Sequence, residues 1–171
     1  MLHRTASTRA SGFTLIELLI VIAIIGVLSA VVLSALNSAR GKGTDAAIKS
    51  SLDNGRSQAE LFYDSNSNNY VITAGGTTDV CSATASVNGV KGLYSFMQSA
   101  QQAYGPGLTL NSNLSTGGAS SKITCHASAA LGWALEAPLK NTTGFYCVDS
   151  TGKATTTTTG TSNLTSGDYA C

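Results

Sequence analysis

Charge is scarce in this chain. Only 11% of its 171 residues are Asp, Glu, Lys or Arg, against roughly a quarter in an ordinary soluble domain. The formal net charge is +1. That excludes a strongly basic nucleic-acid binder working by charge alone, and no nucleic-acid binding is evident. It equally excludes an acidic, self-repelling disordered chain. Proline supplies two residues. There is no glycine-rich phosphate loop and no GxSxG elbow, so the chain offers neither a nucleotide cradle nor a hydrolase nucleophile. The four cysteines, Cys81, Cys125, Cys147 and Cys171, are spaced 44, 22 and 24 residues apart, which matches no zinc pattern. His126 is adjacent to Cys125 rather than at ligand spacing, and adjacency is not the geometry of a nucleophile pair. Asp149 and Asp168 are two separated acids, too few for calcium, which takes six to eight oxygens. No catalytic residue, metal or cofactor is expected. What replaces charge is hydroxyl: 22 Ser and 21 Thr make up about a quarter of the chain.

The apolar residues are unevenly placed. Residues 1–12 carry Arg4 and Arg9 and no acid. After Glu17 no charge appears from Leu18 to Ala39, a run of 22 residues. As helix that is about 33 Å, enough to cross the hydrocarbon core of a bilayer. A secretory signal peptide has a shorter core and a small-x-small cleavage site. The candidates here are poor, because Leu33 precedes Ala35 by two and Leu28 precedes Ala30 by two. A plain anchor has no need of Glu17. An acid in an apolar helix is costly unless it sits at the headgroups or has a task.

The string Gly12-Phe13-Thr14-Leu15-Ile16-Glu17 follows a short basic leader and precedes an apolar helix. It resembles the class III signal of type IV prepilins, as does the continuation through Leu28. The resemblance covers about the first forty residues. It implies that a prepilin peptidase cuts between Gly12 and Phe13 and methylates the new amine of Phe13. The charge would then change from +1 to −1, because two arginines leave. It further implies that Glu17 pairs with the Phe13 amine of a neighbouring subunit during assembly. The i, i+4 spacing also permits that pairing within one chain. Desolvated opposite charges attract strongly, and one left unpaired is expensive. Many pilins carry a proline where this chain has Ser34, so the family's fixed kink is not expected, although Gly26 and Ser29 remain weak points.

The resemblance divides the chain into a leader (1–12), a transmembrane and filament-core helix (13–39), and a periplasmic or extracellular globular domain (40–171) that includes the helix's second half. It implies a structural subunit of a type IV pilus-like filament. The subunit would be a single-pass inner-membrane protein before assembly, and extracellular or in a periplasmic pseudopilus afterwards. Its implied partners are copies of itself, the prepilin peptidase, the membrane, and an assembly platform with its ATPase. The alternatives are a pseudopilin of a secretion or DNA-uptake machine, or a membrane-tethered adhesin that never polymerises.

Beyond the membrane segment the expected class is α+β, a long N-terminal helix packed on a small antiparallel sheet. This is also the pilin architecture. Ile48, Leu52, Gly55, Ala59 and Phe62 recur at helical steps and form one apolar face. Gly41 and Gly43 interrupt the helix and mark a soft joint, and the turn formers at 64–69 end it. A second helix is expected over 89–104, stopped by Gly105-Pro106-Gly107. From Ile123 to Leu139 every odd position is apolar, which reads as strands with one buried face, divided near Ala130 and Gly132. His126 then falls on the exposed face, and Trp133 anchors the core. Residues 141–144 form a turn and 145–148 the next strand. Residues 151–161 are an edge strand or a loop. Residues 133–139 and 146–152 also resemble the C-terminal sheet of some pilin-like proteins from uncultivated bacterial lineages. Asn113, Asn141 and Asn163 begin N-x-Ser/Thr triplets, which so much Ser and Thr produces by chance. The threonines at 155–159 could carry O-linked sugars or simply be solvated chain.

An even cysteine count in an exported domain suggests two disulfides. If residues 125–137 run straight, Cys125 and Cys147 are roughly 40 Å apart along the strand direction, so that pair is disfavoured unless the chain folds back near Gly132. Two connectivities stay open. The resemblance favours Cys81–Cys125 with Cys147–Cys171, because many pilins staple their C-terminal segment in this way. Cys81–Cys147 with Cys125–Cys171 is the alternative.

Overall fold

The computed structural model describes residues 12–72, 78–112, 117–129, 131–158, 160, 162 and 164–171. Arg4, Arg9, Asn113, Ala130, Thr159, Thr161 and Asn163 lie outside the described residues. The chain divides into two units, one ending at Ala39 and one running from Arg40 to Cys171. Helix α1 (Leu15–Ser65) contributes to both.

In the first unit the described structure is the start of α1. β-branched residues are frequent here, yet helix is the conformation in which an isolated apolar segment satisfies its own backbone. An 18-residue window of α1 has a mean hydropathy of 3.0, and none of it is buried within the chain. Leu15 is 88% exposed and Ile25 56%.

The second unit begins with the rest of α1. Its buried residues are Asp45, Ile48, Leu52, Gly55, Ala59 and Phe62, so the expected apolar face is the face that packs. Gly41 and Gly43 do not form the joint expected of them, since α1 runs through both without a break. Gly41 has a packing reason instead: a Cβ there would come within 2.8 Å of Asn141 Oδ1. The helix stops where Ser67 and Asn68 take φ of 56° and 60°. The Asn68 amide then donates to the Tyr63 carbonyl at 3.0 Å, closing the last turn.

The next segment departs from expectation. Residues 89–93 are not helix. Strands β1 (Ser86–Val87) and β2 (Val90–Lys91) form a hairpin, and helix α2 begins only at Tyr94 and ends at Tyr104. The cause is Asn88-Gly89, both at positive φ (51° and 83°). These are the residues of a tight two-residue hairpin turn, and they override the apolar periodicity on either side. Met97 and Ala100 of α2 are buried, with Leu93 just before it.

The main sheet has the order β3-β4-β5-β6-β7, formed by β3 (Thr109–Asn111), β4 (Lys122–Ser128), β5 (Gly132–Pro138), β6 (Phe145–Asp149) and β7 (Ala154–Thr157). Four strands are antiparallel neighbours, but β3 pairs parallel to β4, so the sheet is mixed rather than purely antiparallel. The threonine-rich segment supplies β7 as an edge strand. One face of the sheet carries Ile123, Cys125, Trp133, Leu135, Ala137 and Val148, which share a single core cluster with Ile48, Leu52, Ala59 and Phe62 of α1.

The opposite face is buried too, which corrects the expectation of a single buried face. Thr124 and His126 are 0% exposed and Glu136 is 1% exposed. His126 is therefore not on an exposed face. Ser162 and residues 164–171 lie over these strands. The Asp168 carbonyl is 2.9 Å from His126 Nδ1, the Cys171 amide donates to Asp149 Oδ2 at 2.9 Å, and the Ser162 hydroxyl donates to Glu136. Leu164 packs with Ala134 and Cys147.

Candidate processing and assembly site

Gly12, Phe13 and Glu17 sit together where α1 starts. Gly12 is exposed, and a Cβ built on it would meet nothing within 4 Å. Its backbone is thus open to a peptidase cleft, which a side-chain-free residue admits most closely. Phe13 is 87% exposed. Glu17 lies in the first turn of α1.

Sequence reasoning missed Thr14. Its amide and its hydroxyl both donate to Glu17 Oε2, at 2.9 and 2.7 Å. The Glu17 amide donates back to Thr14 Oγ1 at 3.3 Å. This is a capping box, in which a hydroxyl residue and an acid three positions later satisfy each other's orphan amides. The signal, Thr-x-x-Glu before an apolar run, was present in the sequence.

The sulfurs are joined Cys81–Cys125 and Cys147–Cys171, with Cα atoms 5.6 and 5.8 Å apart. The reason for disfavouring Cys125–Cys147 needs correction. The chain does fold back between β4 and β5, so these cysteines are two strands apart rather than tens of ångströms. Cys125 is opposite Leu135, and Leu135 is opposite Val148. Cys147 is one residue out of that row, and a one-residue offset places it on the other face. Cys125 therefore bridges on the core face and Cys147 on the face under residues 164–171.

The two acids considered for calcium are engaged locally. Asp149 Oδ1 accepts from the Thr151 amide and hydroxyl and from the Lys153 amide, at 2.9, 2.6 and 3.1 Å. Burial pushes its carboxyl up, but the bonds from Thr151, Cys171 and Lys153 outweigh that and hold it below the usual range. Asp168 is lowered by the hydroxyl and amide of Thr165. Asp79 goes the other way, raised by burial despite bonds from Cys81 and Ser82. Among the described residues no group of three or more His, Cys, Asp or Glu could hold a metal.

Several side chains of α1 grip the second unit's strands and loops, Asp45, Asp53 and Arg56 among them. Asp45 Oδ1 accepts from the Lys140 amide at 2.6 Å and the Asn141 amide at 3.2 Å. Asp53 accepts from the Tyr146 hydroxyl at 2.8 Å, and burial first, with Asp53 second, pushes that hydroxyl up to about 12. Arg56 donates to the Lys153 carbonyl at 3.0 Å.

Residues 7–33 match the model of the prokaryotic N-terminal methylation motif, which is the class III prepilin signal. The chain thus carries the N-terminal signal of type IV pilin and pseudopilin precursors, the signal that a prepilin peptidase recognises. Its long helix on a mixed β-sheet is a pilin-like α+β arrangement. The motif and the apolar helix fit a single-pass membrane anchor, and the motif points to a structural subunit rather than an enzyme. No curated protein and no solved structure matches the chain.

Proposed function

We propose that this protein is a structural subunit of a type IV pilus-like filament. A prepilin peptidase cuts it between Gly12 and Phe13 and methylates the Phe13 amine. The helix of residues 13–39 stays in the product and holds the chain in the inner membrane. An assembly platform and its ATPase then draw copies into a filament whose core is that helix, in a pilus outside the cell or in a periplasmic pseudopilus. The observation that carries this reading is that the apolar first stretch of α1 buries nothing within its own chain and bears one acid in its first turn. Lipid covers such a surface before assembly and other copies cover it afterwards. Glu17 supplies the register, because a carboxylate displaced from its amine partner in an apolar core is strongly penalised.

The test is threefold. Mass spectrometry of the mature chain should find a methylated Phe13 at its start; an intact Met1 would remove the proposal. Glu17→Ala should leave the cut in place and reduce sheared filaments by about a hundredfold or more, the scale of a broken buried pair. Electron microscopy of sheared cells should show filaments containing this chain, whereas a tethered adhesin would stay in the membrane and show none.

A further inference from the structure

We propose that residues 165–171 are a strap with a redox clasp: a dithiol opens Cys147–Cys171, the strap swings off the sheet about Leu164, and Cys81–Cys125 and the core stay closed. The two disulfides lie on opposite faces of the sheet and are unequally reachable. Cys81 and Cys125 are both 0% exposed and belong to the core cluster that includes Trp133 and the buried face of α1. Cys147 is 0% exposed too, but its partner Cys171 is only half-buried. Thiol–disulfide exchange depends on access to a sulfur, and Cys171 is the cysteine that solvent reaches. One thiolate of the dithiol attacks the Cys171 sulfur, and Cys147 leaves as a thiolate that takes up a proton. The dithiol's second thiol then attacks the dithiol's own sulfur in the mixed disulfide, and Cys171 leaves as a thiol. Two electrons and two protons thus pass to Cys147 and Cys171, and the dithiol is oxidised to a disulfide.

Little apolar burial holds the strap. Residues 165–171 form neither helix nor strand, and none of them is buried. Cys171 packs against the small cluster of Ala134, Cys147 and Leu164. The strap's hydrogen bonds to the sheet include the Asp168 carbonyl at His126 and the Cys171 amide at Asp149, and Lys153 Nζ donates to the Cys171 carbonyl at 2.7 Å. Chain ends fray unless tied down, and here the covalent tie closes a separation of 24 residues. Leu164 is the pivot because it is held independently of that tie. It is 0% exposed, and its carbonyl accepts from the Gly118 amide at 2.7 Å and the Ser162 hydroxyl at 3.0 Å. The strap keeps its own shape on leaving, since the Thr165 amide and hydroxyl both donate to Asp168 Oδ2, at 2.8 and 2.6 Å. His126 and Asp149, which it uncovers, are polar groups whose hydrogen bonds water replaces, so the opened face is one that solvent accepts.

The full chain in detergent is treated with dithiothreitol without denaturant and alkylated with iodoacetamide. The labelled cysteines are mapped by mass, and amide exchange is followed by nuclear magnetic resonance. The expected result is alkylation at Cys147 and Cys171 with Cys81–Cys125 intact. Exchange at the Cys171 amide should then speed up by about tenfold or more, as the loop closure that held it is lost. The Gly118 amide and those of residues 45–62 should keep their protection. Cys147→Ser combined with Cys171→Ser should give the same pattern with no reductant. Alkylation of Cys81 and Cys125 as fast as the other pair overturns the selectivity of the clasp. An unchanged Cys171 amide after reduction overturns the release of the strap. Protection lost at Gly118 or across 45–62, in the reduced chain or in the double variant, overturns the pivot, because the strap would then be part of the core.

Discussion

The two units of this chain treat the same chemistry in opposite ways. Up to Ala39 large apolar side chains stand outside, as with Val27 at 67% and Val31 at 66% exposure. From Arg40 onward even polar groups are inside, with Thr124, His126 and Asp149 at 0%. In the first unit charge is excluded by the composition of the run. In the second it is admitted where hydrogen bonds are ready, as the four bonds to Asp149 show. The contrast teaches that burial in a single chain is not a measure of what a residue contributes. The apolar surface of the first unit finds no burial within its own chain.

The largest expected effect comes from making the same kind of cut in both units. Trp133→Ala removes a fully buried ring and should destabilise the second unit by about 3–5 kcal/mol, seen as a lower midpoint in chemical unfolding of the detergent-solubilised chain. Ile24→Ala, at a site 54% exposed, should leave that midpoint unchanged and act only on filament yield. Equal loss of stability from both would erase the distinction between the units.

The covalent staples sharpen the contrast next, because both lie in the second unit. Replacing Cys81 and Cys125 together by Ala should cost about 2–5 kcal/mol, again by denaturant midpoint, while cleavage at Gly12–Phe13 stays normal. A processing defect would show that the two halves are not independent.

The smallest expected effect is electrostatic. Asp149 has its carboxyl held below the usual range. Its contribution is present above the unfolded pKa, near 4, and is lost as pH falls through the lower folded value. Asp149→Asn should cost about 1–3 kcal/mol at neutral pH and flatten the acid limb of the stability profile. Asp79, raised by burial, has the opposite sign: it favours the folded state while protonated and gives that up as pH rises through its folded pKa. An unchanged acid limb in Asp149→Asn would show that its bonds contribute nothing net.

How much of this was legible depended on how far each signal reached along the chain. The string from Gly12 to Glu17 is local and legible through its resemblance to a known signal; the face from Ile48 to Phe62 is local too and legible from spacing alone. The turn between β4 and β5 was also visible, through Gly132. The hairpin at Asn88-Gly89 was equally local but was read as the edge of a helix, because Val90, Leu93 and Met97 also fit helical spacing. The burial of His126 and Glu136 was not legible. Alternation along a strand records polarity and not coverage, and the cover comes from Ser162 and residues 164–171, which have no apolar period. The parallel pairing of β3 was hidden for the same reason: a three-residue strand carries no direction in its sequence.

The two disulfides have a mechanical consequence. They close sequence separations of 44 and 24 residues, so a pull applied to the chain at Arg40 and Cys171 is carried across each closure by sulfur rather than by the strands inside it. Strands β4 and β6 are each gripped at a cysteine, Cys125 and Cys147. The slack that the stretched chain can release is limited to the stretches outside those closures, and the second unit stays short under load even where its hydrogen bonds have begun to give.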